Sequence, residues 1–139
     1  MLTIDLLIEN DERLSEDFKE KRKIFTIKRL EEKLGEGNGD IEIRSITINE
    51  LFDIEKKAKI QSNKVGDMYT IAKMIVAKGL VSPNIKSEEL LKAKGCVKAT
   101  DLIDKIFKPM EINEIADEIT KLSDLDNNNE STLVEKIKN

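Results

Sequence analysis

The sequence predicts a mainly α fold: a small helical bundle carrying an N-terminal β-hairpin as its minor β part. Three observations point there. Charged residues make up 37% and apolar residues 39% of the 139 residues, against about 25% charged in an average globular domain. Helices with solvated outer faces produce that balance. From Thr47 onward, apolar residues recur at spacings of three and four, the period of a helix with one buried stripe. Before that, two short runs rich in β-branched residues flank a glycine-rich stretch, the pattern of a hairpin. The length fits one domain. Aromatics are 4% with no Trp, so the core must rest on Ile, Leu, Val, Met and Ala.

The elements follow in order. Met1 to Ile8 carries Leu2, Ile4, Leu6, Leu7 and Ile8, a short apolar anchor. It is expected to pack back on the body, because exposed apolar surface is unfavourable in water; docking onto a partner is the other reading. Asp11 to Lys23 mixes acids and bases around Leu14 and Phe18 and reads as a solvated linker or a frayed helix. Ile24-Phe25-Thr26-Ile27 reads as a strand. Ile41-Glu42-Ile43-Arg44 alternates with period two, as a half-buried strand does. Gly35 to Asp40 between them is expected to form a long, mobile hairpin tip. It is no phosphate loop: acids flank the glycines and no Gly-Lys-Ser/Thr follows.

Thr47-Ile48-Asn49-Glu50 has capping-box spacing. A helix is expected from about Ile48 to Gln61, with Ile48, Leu51, Phe52 and Ala58 inward. Gly66-Asp67 opens the next, striped by Met68, Ile71, Ala72, Ile75 and Val76 and closed by Gly79 as a C′ residue. Ser82-Pro83-Asn84 is a turn. Ser87 to Leu90 starts a short helix ending at Gly95. Another starts at Ala99 or Thr100 and buries Leu102, Ile103, Ile106 and Phe107 until Pro109 stops it. The last runs from about Met110 to Ser123 with Ile112, Ile115, Ala116, Ile119 and Leu122 inward. The chain thus divides into residues 1–23 (apolar segment and charged linker), 24–123 (hairpin plus helical domain) and 124–139. That polar tail is either disordered or a short helix, with Leu133, Val134 and Ile137 at helical spacing.

The composition bears on chemistry. The chain has no histidine, which removes the commonest general base and any Ser-His-Asp or Cys-His site. One cysteine, Cys96, makes an internal disulfide impossible, suits a reducing cytoplasm and makes zinc improbable. Cys96 beside Lys94 and Lys98 could be a reactive thiol; the plain reading is a small residue at a helix junction. The carboxylate pairs Glu88-Glu89 and Asp101-Asp104 fall near helix starts, where acids stabilise the dipole. No calcium loop is spelled by Asp124 to Asn127. No apolar run approaches the ~18 residues of a membrane span, and Met1 to Asn10 lacks the features of a signal peptide. We therefore expect no catalytic, metal or cofactor-binding residues, no enzyme activity, no membrane partner and a cytoplasmic location. Net charge is −4 with pI near 5.1, which argues against nucleic acid as a partner. One alternative remains: Ser87 to Phe107, two short helices around Gly95 with Lys92, Lys94 and Lys98, imitates a helix-turn-helix DNA-binding regulator. The acids Asp101 and Asp104 on its second helix speak against it.

The order of these pieces carries a resemblance. A short apolar start and a strand pair with a Gly/acid tip precede Ile43-Arg44-Ser45-Ile46-Thr47. Val81-Ser82-Pro83-Asn84-Ile85, Glu89-Leu90 and Gly95 follow. Then come Leu102-Ile103-Asp104-Lys105-Ile106-Phe107 and Pro109-Met110-Glu111-Ile112. The string over residues 83–109 is its most specific part. In this the chain resembles the XkdN-like tail assembly chaperones of long-tailed phages and phage-derived tail particles, over roughly residues 1–123. It departs where the family often has Gly after the proline matching Pro109; Met110 stands there instead. The resemblance implies no catalytic residues. It implies binding to the tape-measure protein, which would be kept soluble until tube subunits polymerise around it, with the tail tube protein as a further partner. A structural tail component is another alternative. A chaperone of an amphipathic partner needs apolar surface left outside its own core, and soft Met side chains suit varied surfaces. The candidate partner-binding residues are Ile4, Leu7, Met68, Ile71, Met74, Ile75, Phe107 and Met110. The apolar ends, Ile4 to Ile8 and Leu133 to Ile137, are candidates for docking or self-association.

Overall fold

The computed structural model describes residues 1–61 and 67–125. Its elements run α1 (Ile4–Glu9), α2 (Asp11–Ser15), a 3-10 turn (Glu16–Phe18), β1 (Arg22–Thr26), α3 (Lys28–Leu34), β2 (Asp40–Arg44), α4 (Ile48–Gln61), α5 (Asp67–Gly79), β3 (Leu80–Ser82), α6 (Glu88–Ala93), α7 (Ala99–Ile106) and α8 (Pro109–Leu122). The fold is mainly α with a small antiparallel sheet, as the sequence predicts.

The two expected strands do pair, Phe25 opposite Ile41 and Lys23 opposite Ile43. Their connection is not a mobile tip. Lys28–Leu34 are all fair to good helix formers, and they fold as α3. Ile27 makes the switch: its N–H closes the strand ladder on Gly39 O at 2.8 Å, and its carbonyl accepts the Glu31 N–H at 3.0 Å. The Ile27 side chain is buried and Leu30 packs beside the core, so α3 is tied down rather than hanging in solvent. A third strand, β3, adds antiparallel to β2. Nothing in its three residues announces a strand; the sheet edge supplies it.

The capping box forms as read. Thr47 Oγ1 accepts from Glu50 N at 3.1 Å and Glu50 Oε1 accepts from Thr47 N at 3.0 Å. The inward face of α4 is rotated from expectation, however. Ile54 and Ala58 are buried and Leu51 packs beside them, while Ile48 and Phe52 are exposed. Spacings of three and four from Leu51 to Ile54 to Ala58 make one stripe; Ile48 and Phe52 flank it.

Helices α5, α7 and α8 make the helical layer. Gly79 is the last residue of α5, without the left-handed conformation of a C′ cap. Its small size is required for a different reason: a Cβ there would sit 2.6 Å from Ile119 Cδ1, so glycine lets α8 approach α5. Gly95, at φ +68°, does end α6 in the expected way. Cys96 N donates to Leu91 O at 2.8 Å and Gly95 N to Lys92 O at 3.1 Å, the two bonds of a Schellman motif. Pro109 is the first residue of α8 rather than a stop for α7. Its fixed φ suits a first helical position, where its missing N–H has no intrahelical partner anyway.

The core is isoleucine-rich. Ile43, Ile103, Ile112, Ile115 and Ile119 lose all their exposure, with Leu102 and Val76. Each such side chain contributes about 2–3 kcal/mol by leaving water. No polar or charged residue among the described ones is buried. Polar groups instead pin the rim. Arg29 forks onto both Glu111 oxygens at 2.9 Å and donates to Ile106 O at 2.7 Å, joining α3 to the α7–α8 junction. Ser123 Oγ accepts from Ile46 N at 2.8 Å and donates to Ile119 O at 2.6 Å. Asp104 takes Tyr69 Oη at 2.7 Å and Lys73 Nζ at 2.9 Å, so it ties α7 to α5 instead of serving a helix start. Burial, and then that bond to Asp104, push the Tyr69 hydroxyl up to about 12.

Candidate protein-interaction surfaces

The N-terminal segment is held by its own short-range bonds. Thr3 Oγ1 caps α1 by accepting from Leu6 N at 3.2 Å, and the Asn10 side chain donates to Leu6 O at 2.9 Å. None of residues 1–24 is buried. Leu2, Ile4, Ile8 and Phe18 stand out in solvent, Phe18 at 89% exposure, and Leu6, Leu7 and Leu14 are also exposed. The apolar anchor does not pack on the body, contrary to expectation. The body's core is already closed by its own isoleucines, and two helices of six and five residues are too short to offer a sustained stripe to it.

At the root of this arm lies a cleft of about 440 Å³. Phe18, Ile46, Ile48, Leu122 and Leu125 give it an apolar lining, with Lys21, Arg44, Glu50 and Asp124 at its walls. Lys21 faces Asp124 at 3.5 Å. Glu50 meets Arg44 at 3.0 Å and Lys78 at 3.8 Å. The Arg44 hydrogen bonds outweigh burial and, with the Thr47 N–H, hold the Glu50 carboxyl down at about 2. Glu111 is likewise pushed below its ordinary value by Arg29. A general acid needs the opposite shift. Among the described residues no group of three or more Cys, Asp or Glu side chains is placed to hold a metal ion.

A second groove, of about 550 Å³, runs between α5 and α8. It brings together Met68, Ile71 and Ile75 from the expected partner-binding set, with Ala72, Ala116 and Thr120. Met68 is 85% exposed at its mouth; Ile75, at 6%, is its floor and belongs to the core. The other candidates scatter. Met74 is half-buried against the core and Phe107 is inside it, at 3%. Periodicity alone could not separate a lining residue from a core residue, and Phe107 spends its ring holding α7 to the bundle. Met110 is exposed at the start of α8, and Ile4 and Leu7 are exposed on α1. Leu133, Val134 and Ile137 lie outside the described residues. Sequence reasoning put Ile48 and Phe52 inward, and although it set Phe18 in a solvated stretch it did not count it among the partner-binding candidates. For Phe18 a signal existed: an aromatic ring inside an acid-rich run with Leu14 as its one apolar neighbour at helical spacing.

Helices α6 and α7 do flank Gly95 as a helix-turn-helix would. The outer surface of α7 presents Asp101 and Asp104 beside Lys105, and Lys105 Nζ is drawn to Lys94 O at 2.7 Å. With Asp104 engaged by Tyr69 and Lys73 and Lys105 turned to a carbonyl, that face offers phosphates no free cluster of bases. No described helix is long and apolar enough to cross a membrane.

A family model described as phage XkdN-like tail assembly chaperone protein matches residues 5–138. No curated protein matches, and no solved structure matches.

Proposed function

The chain belongs to the phage XkdN-like tail assembly chaperone family, a non-enzymatic role, and from that premise we propose that it binds the tape-measure protein and keeps it soluble while tail tube subunits assemble around it. The work would take place in the cytoplasm of the bacterial host, with the tail tube protein as a second partner. The observation that supports this reading is the amount of apolar surface left outside a complete core. The arm, the root cleft with Ile48 and Phe52 nearby, and the α5–α8 groove all stay open. Large exposed apolar patches mark interaction sites rather than ordinary monomer surface. An assembly chaperone needs such surface, because its client hides apolar stripes only after assembly.

Co-expression tests the proposal. The tape-measure protein of the same phage or particle, expressed alone, is expected in the pellet; with this chain it is expected in the supernatant and to co-purify. A tape-measure protein that stays insoluble and is never retained overturns the proposal. Finding the chain in finished, purified tails points instead to a structural component.

A further inference from the structure

The charge of the chain is unevenly placed. Residues 1–18 hold six acids (Asp5, Glu9, Asp11, Glu12, Glu16, Asp17) and one base, Arg13. The remaining residues hold 22 acids and 23 bases, from totals of 28 and 24. The whole negative excess therefore sits on the arm, the same segment that leaves its large apolar side chains in solvent. No described ion pair engages any of the arm's acids. The rest of the chain is nearly neutral, so it brings little net charge to complement the arm.

We propose that residues 1–18 form a clasp for an amphipathic helix whose apolar stripe is flanked by lysine or arginine. The inference rests on the chaperone reading above and names the chemistry of the client segment. Ile4, Leu7 and Ile8 share one face of α1 by spacing, and that face takes the apolar stripe. Phe18, at the mouth of the root cleft with Ile48, holds the far end. The surrounding carboxylates select basic flanks and speed the encounter. A second copy of this chain is the poorer occupant, since it brings another acidic arm and a nearly neutral body.

The test uses the full chain and two designed peptides of roughly 18 residues, about 27 Å of helix. They share one leucine stripe; one is flanked by lysines, the other by glutamates. Fluorescence anisotropy is expected to show the lysine peptide binding roughly tenfold tighter at low salt, with the preference shrinking as salt rises. The combined variant Ile4→Ser, Leu7→Ser, Phe18→Ser is expected to lose both peptides while its circular dichroism and melting stay unchanged, because all three side chains are exposed. The variant Asp11→Lys, Glu12→Lys, Glu16→Lys is expected to abolish or invert the preference. Equal binding of the two peptides overturns the proposal. So does unchanged binding by the serine variant, or an arm-dependent dimer in sedimentation that the lysine peptide cannot displace. The two readings fail separately. If the serine variant retains the tape-measure protein as well as the intact chain does, the clasp is wrong and the chaperone reading stands. If the intact chain binds the lysine peptide but not the tape-measure protein, the reverse holds.

Discussion

The arm and helix α8 are both rich in Ile, Leu and acids, and they meet opposite fates. In α8, Ile112, Ile115, Ala116 and Ile119 are all buried. In residues 1–18, Leu2, Ile4, Leu6, Leu7, Ile8, Leu14 and Phe18 are all exposed. Apolar content is therefore not what decides burial. Helix α8 runs 14 residues with a three-and-four stripe, long enough to lie along α5 and accept Gly79 against Ile119. The arm breaks at Asn10 and again after Ser15, so the short face of α1 never extends into a stripe long enough to lie along the body. A segment built this way contributes none of its side chains to the closed core, which suits a surface meant for another chain.

The sharpest way to break this comparison is truncation in each region. Ile119→Ala is expected to cost about 3 kcal/mol, from lost transfer energy and the cavity left against Gly79. Urea unfolding reads it; a loss as small as that of an arm residue would mean α8 is not the centre of the core.

Acid sharpens the comparison next, because in the body Glu50 and Glu111 are held by Arg44 and Arg29. Glu50 is depressed from its ordinary 4.5 to about 2. The unfolded state thus takes up the proton first, and stability present above about pH 4.5 is lost as pH falls toward 2. With the side chain a quarter exposed, this amounts to about 1–2 kcal/mol, and Glu111 adds in the same direction. In Glu50→Gln the stability–pH curve is expected to flatten over that range; a curve parallel to the parent's would show that the Arg44 pair contributes no such linkage.

The smallest effect belongs to the arm. Ile8→Ser is expected to change unfolding free energy by less than about 0.5 kcal/mol while lowering the binding of an apolar dye. A loss above 1.5 kcal/mol would mean that α1 docks on the body in solution.

Much of the helical layer was legible beforehand. The capping box at Thr47 and Glu50, the cap at Ser87, the Gly95 stop and the stripe of α8 all act within a few residues, so local spacing contains them. The interaction surfaces were harder to read. Ile75 and Met68 lie on one periodic stripe, yet one is the floor of a groove and the other its mouth, and only the position of α8 distinguishes them.

By itself, then, the sequence determined the starts of α4 and α6 and the stop of α6 at Gly95, that the first 18 residues carry the net charge, and that no histidine-based chemistry is available. Each is a property of composition or of neighbours along the chain. Tertiary structure decided that Lys28–Leu34 folds as a helix between paired strands, that β3 exists, that Gly79 is small to admit Ile119, and that Phe52 faces outward while Phe107 faces in. It also decided that the apolar start of the chain stays in solvent, because burial requires a partner surface of matching length and period, and the closed isoleucine core offers none.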